Sequence, residues 1–171
     1  MPEIETARLR LRHFTQDDFD TLFRLYSDAE VMRYLVPRTK EQTQASLVKH
    51  IQHWQQHNFG MWAVVHKDSG KMIGRCGLGF LDNTPEVELG YVLDKSYWHM
   101  GLATEASQAT LKYGFLKVQL DQIVAIALPE NIASRRVIEK VGMKYQKQAH
   151  YYGLNVVYYT LSQSEWQLDG E

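Results

Sequence analysis

The chain opens on a two-residue alternation. In Arg8 to Phe14, R-L-R-L-R-H-F, Leu9 and Leu11 fall on one face, which predicts a half-buried strand. The period then lengthens. From Thr15, T-Q-D-D-F-D-T-L-F-R-L-Y crowds acidic side chains into a first helical turn, where they complement the helix dipole, and sets Phe19, Leu22, Phe23 and Tyr26 on one stripe. Val31, Met32, Tyr34 and Leu35 follow, and Pro37 ends any helix there. Glu41 to His57 reads as a longer amphipathic helix with Leu47, Ile51 and Trp54 toward the core. Met61 to His66 and Lys71 to Leu81 are two strands joined by K-D-S-G, which is hairpin chemistry. The turn D-N-T-P, Asp82 to Pro85, leads into a strand from Glu86 to Leu93.

Further on, Ala106, Ala109, Thr110 and Tyr113 recur at helical spacing, and Gln122 to Ala127 is a short apolar run with β-branched Ile123, Val124 and Ile126. Asn131 caps a helix whose expected inner face is Ala133, Val137 and Val141, and Gly142 supplies a left-handed stop. Met143 to Tyr151 and Asn155 to Ser162 form a closing hairpin around Gly153. Strands alternating with helices in the middle, and hairpins at both ends, predict an α/β (α+β) fold on one sheet of mixed direction. No repeat, low-complexity run or linker interrupts the pattern, so a single domain over residues 1–171 is expected.

Composition narrows the function classes. A chain of 171 residues can bury a full core, and a formal net charge of −1 argues against a nucleic-acid or membrane-surface binder. Cys76 stands alone, which fits a reducing compartment; with no basic start before an apolar run and no stretch of spanning length, a cytoplasmic location is expected. As a nucleophile Cys76 needs a base and an electropositive setting, whereas a small buried hydrophobe needs neither. His50, His53 and His57 lie on neighbouring helical turns, a spacing that can bind zinc. No cysteine or carboxylate lies at ligand spacing on that face, so no metal is expected.

The stretch richest in chemistry is Tyr97 to Phe115, Y-W-H-M-G-L-A-T-E-A-S-Q-A-T-L-K-Y-G-F. A turn with one glycine runs straight into a helix N-terminus, whose unpaired N–H groups and partial positive charge suit a phosphate or other anion. Gly101 lets a ligand approach the main chain, and Ala103 leaves room. Just upstream, Gly90 sits inside V-E-L-G-Y-V-L, where a strand glycine suggests a bulge or a close approach by another group.

These segments carry a resemblance. W-H-M-G-L-A-T-E-A, Trp98 to Ala106, resembles the pyrophosphate loop of the GNAT superfamily of N-acetyltransferases, and its leading tryptophan resembles the ribosomal-protein N-terminal (Rim-type) branch. E-L-G-Y-V-L looks like the splayed strand of that family, and P-E-N-I-A-S-R-R-V-I-E-K-V-G-M, Pro129 to Met143, looks like its second coenzyme A motif. The resemblance implies a mixed sheet opened into a V between two central parallel strands and flanked by about four helices. Acetyl-CoA is then the co-substrate, an amine is the acceptor, and the two N-terminal helices flank the acceptor cleft. Main-chain donors of His99, Met100, Gly101, Leu102, Ala103 and Thr104 would hold the pyrophosphate, and Tyr91, Val92 and Leu93 would pair with the pantetheine arm like an added strand. An N–H of Val92 or Leu93 is the candidate against the thioester oxygen. Asn131 and Ser134 would touch the coenzyme arm, and Arg136, with Arg135, would reach the 3′-phosphate. A charged His99 beside the pyrophosphate would make affinity fall as pH rises through neutrality; a solvent-facing His99 would not. A homodimer fits the branch, although the sequence marks no interface.

One departure matters for catalysis. Many relatives carry a tyrosine seven residues after the motif's asparagine as acid to the leaving thiolate, and this chain has Ile138. Ser134 becomes the candidate for that contact; a thiol pKa of about 8.5 asks little of it. For the base, Glu86 and Glu88 alternate onto one strand face, and Glu88 is nearer the glycine. Exposing a neutral α-amine at pH 7 costs about 1 kcal/mol, against nearly 5 for a lysine-like amine, so a sparsely furnished site leans toward an α-amine such as a protein N-terminus. Polyamines, aminoglycosides and similar small amines stay open as acceptors, because a fold does not choose among them. A coenzyme-binding module without chemistry also stays open through Ile138. An unrelated nucleotide-binding fold is disfavoured, since neither G-x-x-x-x-G-K-[ST] nor G-x-G-x-x-G occurs.

Overall fold

The computed structural model describes residues 2–169, so the expected domain runs past the described residues at both ends. The chain forms β1 (Ile4–Glu5), β2 (Leu9–Arg12), α1 (Phe19–Ser27), α2 (Lys40–Gln56), β3 (Met61–His66), β4 (Lys71–Phe80) and β5 (Val87–Leu93). It continues through α3 (Leu102–Leu116), β6 (Gln122–Ala127), α4 (Ile132–Lys140), β7 (Lys144–Tyr151), β8 (Leu154–Ser162) and α5 (Gln163–Asp169). All eight strands lie in one sheet of order β1-β2-β3-β4-β5-β6-β8-β7. Every neighbouring pair is antiparallel except β5 and β6, which are parallel and meet at one register pair, Glu88 with Val124. Beyond that pair the two strands part. This is the V that the resemblance implied, at the expected place.

Two apolar layers cover the sheet. Leu22, Tyr26, Met32 and Leu47 from the α1–α2 side pack with Ala63 and Met72 on one face. On the other, Leu102, Ala106, Leu111 and Phe115 of α3 pack with Ile138 and with strand residues such as Trp62, Ile73, Leu89 and Tyr159. Ala106, Thr110 and Tyr113 are buried as the spacing predicts. No helix among the described residues is long and apolar enough to cross a membrane.

Several local expectations are corrected. The first strand stops at Arg12, and the first helix starts late, after a 3-10 turn over Gln16–Asp18. The cause is Asp18: its carboxylate accepts from the Arg12 guanidinium at 2.8 and 2.9 Å and from the Thr15 N–H at 2.9 Å, which fixes a turn first. Burial pulls the Asp18 carboxyl up, and these hydrogen bonds outweigh it, so it ends below its ordinary value. Leu22 and Tyr26 are buried as expected; Leu25 is buried as well, and Phe19 and Phe23 are only partly so. In α4 the inner residue is Ile138, 3% exposed, while Ala133 faces out. Val137 is partly buried and Val141 packs against the core as expected, so the inner face is turned toward Ile138 and away from Ala133. β1 and α5 have too few residues to carry a readable period.

Gly90 does not mark a bulge in its ladder. The β4–β5 register runs unbroken from Gly74 with Leu93 to Phe80 with Val87, and Gly90 lies opposite Gly77. The β3–β4 ladder shifts between Val64 and Val65, as the β7–β8 ladder does between Tyr145 and Lys147. A Cβ on Gly77 would fall 2.2 Å from the Gly60 carbonyl oxygen and 2.7 Å from the Met61 Cα, and backbone there cannot swing aside. Gly77→Ala is therefore expected to cost about 2–3 kcal/mol, read as a lower urea midpoint at unchanged slope. An unchanged midpoint would mean the β3–β4 ladder yields freely.

Candidate active site

The loop after β5 is pinned before it turns into α3. Asp94 accepts from the Ser96 N–H at 2.9 Å, and the Trp98 indole N–H donates to the Leu93 carbonyl at 2.9 Å, tying the loop to the strand end. His99 and Gly101 both take left-handed backbone, with φ of 62° and 78°. Gly101 then caps α3 without a side chain. The N–H groups of His99 to Thr104 donate to no protein acceptor among the described residues; the helix ladder starts where the Glu105 N–H meets the Gly101 carbonyl at 3.1 Å. Consecutive main-chain donors, two left-handed residues and a helix N-terminus make an anion cradle. The His99 and Met100 side chains are exposed, Leu102 is buried in the core, and Ala103 and Thr104 are half-buried at the cradle.

A brace from the chain's start sets this loop, and sequence reasoning missed it. The Arg8 guanidinium donates to the Met100 carbonyl at 2.8 Å and to Glu105 at 3.0 Å, while the Arg8 N–H and the Thr6 hydroxyl donate to Glu105 at 3.1 and 2.7 Å. Burial raises the Glu105 carboxyl, but these bonds win and hold it below its ordinary value. The negative charge in the first turn of α3 is thereby drawn toward Arg8.

Along the V, strand alternation sorts the proposed donors. The Asp94 N–H donates across to the Ile73 carbonyl on β4, so Val92, of the same parity, also turns its main chain to β4. The main chains of Tyr91 and Leu93 face the gap toward β6, and the Leu93 carbonyl is taken there by Trp98. On the far side of the gap the Asn131 side chain accepts from the Ser134 N–H at 3.2 Å and caps α4. The Ser134 hydroxyl faces the Tyr91 phenol across the opening: burial raises that phenol and Ser134 offsets part of the rise. Tyr91 and Ser134 thus meet across the slot between β5 and α4, with Leu93 further along β5 and Asn131 at the cap of α4. Arg135 is committed elsewhere, donating at 3.0 Å to both the Tyr159 hydroxyl and the Pro129 carbonyl; Arg136 is exposed.

The two glutamates separate cleanly. Glu86 accepts a short hydrogen bond from the Tyr158 hydroxyl. Glu88, at the last paired residue before the strands part, accepts only a long 3.4 Å contact from the Tyr152 hydroxyl, and its second oxygen is buried without a partner. Burial lifts the Glu88 carboxyl to about 7, with Arg75 and Tyr152 pulling it down and Asp82 pushing it up. Tyr152 is held by a reciprocal clasp, its hydroxyl accepting from the Asp82 N–H and its N–H donating to the Asp82 carboxylate, each at 2.8 Å.

The other candidates are inert by their surroundings. Cys76 is fully buried with its sulfur 3.4 Å from the Thr110 hydroxyl, and burial raises its thiol to about 11. His50 stacks on Phe14, and burial drives its imidazole down to about 3, while His53 packs among His57, Phe59 and Phe80. Among the described residues no three His, Cys, Asp or Glu side chains gather as a metal-holding group.

Comparison with known proteins agrees with this geometry. A family model described as an acetyltransferase (GNAT) domain matches residues 8–144. The Bacillus subtilis protein YkkB is 35% identical over 154 residues, covering 85% of this chain and 87% of that protein. The Bacillus subtilis N-acetyltransferase YnaD is 34% identical over 143 residues, covering 82% of each. The crystal structure of a GNAT-family acetyltransferase from Bacillus anthracis superposes with a TM-score of 0.81 at 29% identity, over 95% of this chain and 99% of that one. With the family model spanning most of its length, a parallel seam opened at Glu88 and a donor cradle at Gly101, the chain belongs to the GNAT acetyltransferase family.

Proposed function

We propose that the chain transfers an acetyl group from acetyl-CoA to an α-amine, with Glu88 as the base. Acetyl-CoA supplies the activated acetyl group as a thioester. The cradle from His99 to Thr104 suits its diphosphate, and no Cβ stands over the main chain at Gly101. The outward main chains of Tyr91 and Leu93 give the pantetheine amides a strand edge, and the Leu93 N–H, whose carbonyl is already used, is left to polarise the reacting carbonyl. Asn131 orients α4, and exposed Arg136 is the contact for the 3′-phosphate.

The observation that carries the reading is the place of Glu88, at the bridge where the strands part and with one carboxylate oxygen buried and unpartnered among the described residues. A carboxyl lifted to about 7 is within about one unit of an α-amine, so the proton moves at a cost near 1.4 kcal/mol; from a lysine-like amine the same transfer costs about 4.6 kcal/mol. Glu88 takes the amine proton as the C–N bond forms and the C–S bond breaks, and the thiolate leaves on the side of Ser134 and Tyr91. Tyr91, reaching the slot from β5, stands in for the helix tyrosine that Ile138 replaces. Thiol release with and without an amine panel tests the whole: a coenzyme-binding module would consume nothing. Ser134→Ala and Tyr91→Phe are each expected to slow single-turnover transfer about two- to fivefold, since a thiolate is already a tolerable leaving group. An unchanged rate in both would remove this pair from the mechanism.

A further inference from the structure

Three arginines of this protein meet carboxylates: Arg8 with Glu105, Arg12 with Asp18 and Arg24 with Asp94. Two on the acceptor face do not. Arg75 of β4 donates to the Tyr26 hydroxyl at 2.7 Å and approaches the Met61 sulfur at 3.6 Å; Arg38 lies over the Tyr26 ring at 4.4 Å and donates to the Ser46 hydroxyl at 2.7 Å. Both are half-buried, and every group that accepts from them is neutral. Neither comes within ion-pair distance of a carboxylate among the described residues. They also act on each other: burial lowers Arg38, Tyr26 offsets that, and Arg75 pushes it down again. Two half-buried like charges with no carboxylate at ion-pair distance are costly to hold in a fold, and an anionic ligand offsets the cost.

Their position says which ligand. A Cβ on Gly90 would lie 3.3 Å from the Met61 Cε and 4.0 Å from the Arg75 Nη1, so that methyl and that guanidinium share the gap in the side-chain row of β5, two residues from Glu88 on the same face. Arg75 bears on the Glu88 carboxyl as well. An acceptor whose amine meets Glu88 therefore presents its next few atoms to Arg75 and Arg38. Resting on the reading of Glu88 as base, we infer that the acceptor carries a carboxylate close to its reactive amine, and that Arg75 and Arg38 bind it. A polycationic amine is repelled by the same pair.

Matched acceptors test this: free amino acids against their carboxamides, and amidated dipeptides with aspartate against asparagine at the second residue, with spermidine as the polycation. Coenzyme A release reports each. The expected result is a preference of about tenfold or more in kcat/KM for one carboxylate-bearing series over its neutral partner, with spermidine poorer still. Which series shows it separates an α-carboxylate from a peptide side chain. Arg75→Gln and Arg38→Gln should each shrink the preference toward parity by raising the acceptor KM, with KM for acetyl-CoA unmoved. Equal turnover of carboxylates and amides by the unmodified protein overturns the inference and leaves the α-amine reading standing. Silence across every α-amine overturns both.

Discussion

Replacing Glu88 with glutamine is expected to lower kcat about 100-fold at pH 7, while KM for acetyl-CoA changes less than about threefold. Glutamine keeps the shape and cannot take a proton. The base works ionised, so with a carboxyl near 7 the parent kcat/KM should climb as pH rises through about 7, below the limb near 8 that the α-amine itself sets; the variant should keep only the amine's limb. Stability moves the opposite way. The folded carboxyl sits above its unfolded value of about 4.3, so its stabilising contribution is full below about pH 4 and is lost as pH rises through 7. Above pH 7 the parent holds a half-buried carboxylate that glutamine lacks. Glu88→Gln should therefore be more stable than the parent at pH 8, by about 1–2 kcal/mol after allowance for partial solvation, and the gap should close toward pH 5. A slower and more stable variant cannot be explained as misfolding. A kcat within threefold of the parent, or a surviving limb near pH 7, would take Glu88 out of the chemistry.

Thr104→Glu is expected to weaken coenzyme A binding about 100-fold. Thr104 is half-buried in the first turn of α3, among the main-chain donors that no protein group among the described residues uses. A carboxylate there suits the helix, because it caps free donors and complements the dipole, so the melting temperature should hold or rise. The same charge opposes a diphosphate a few ångströms away by about 3 kcal/mol at the effective dielectric of a partly wet site. Thr104→Gln matches it in size and should cost less than about fivefold. Calorimetric titration with coenzyme A decides: equal losses in the two variants would make the effect steric and weaken the case for an anion at this helix end.

What could be read from the sequence depended on how far apart the partners lie. The cradle at Gly101 and the cap at Asn131 follow from residues within four positions of one another, and local rules found both. The brace of Thr6 and Arg8 on Glu105 spans almost a hundred residues and leaves no periodic trace. Glu86 and Glu88 look equivalent in the chain, and only the hairpin that returns Tyr158 and Tyr152 to the sheet tells them apart. Gly90 shows the limit of a local rule. Its glycine signalled either a kink or a close neighbour, and the neighbour, Arg75 with Met61, comes from strands far back in the sequence. Nothing within its own strand marks the Tyr91 phenol. Its side chain gained meaning only when α4 folded back opposite it.

The single bridge between Glu88 and Val124 also says something about motion. Elsewhere in the sheet, sliding one strand past another would break a run of hydrogen bonds; here it would break almost none. The two wings are joined chiefly by side chains beneath α3, which can lean and repack at little enthalpic cost. The molecule is therefore softest along the very line where its donor would lie, and a ligand laid into that line would act as a spline between two panels, stiffening both.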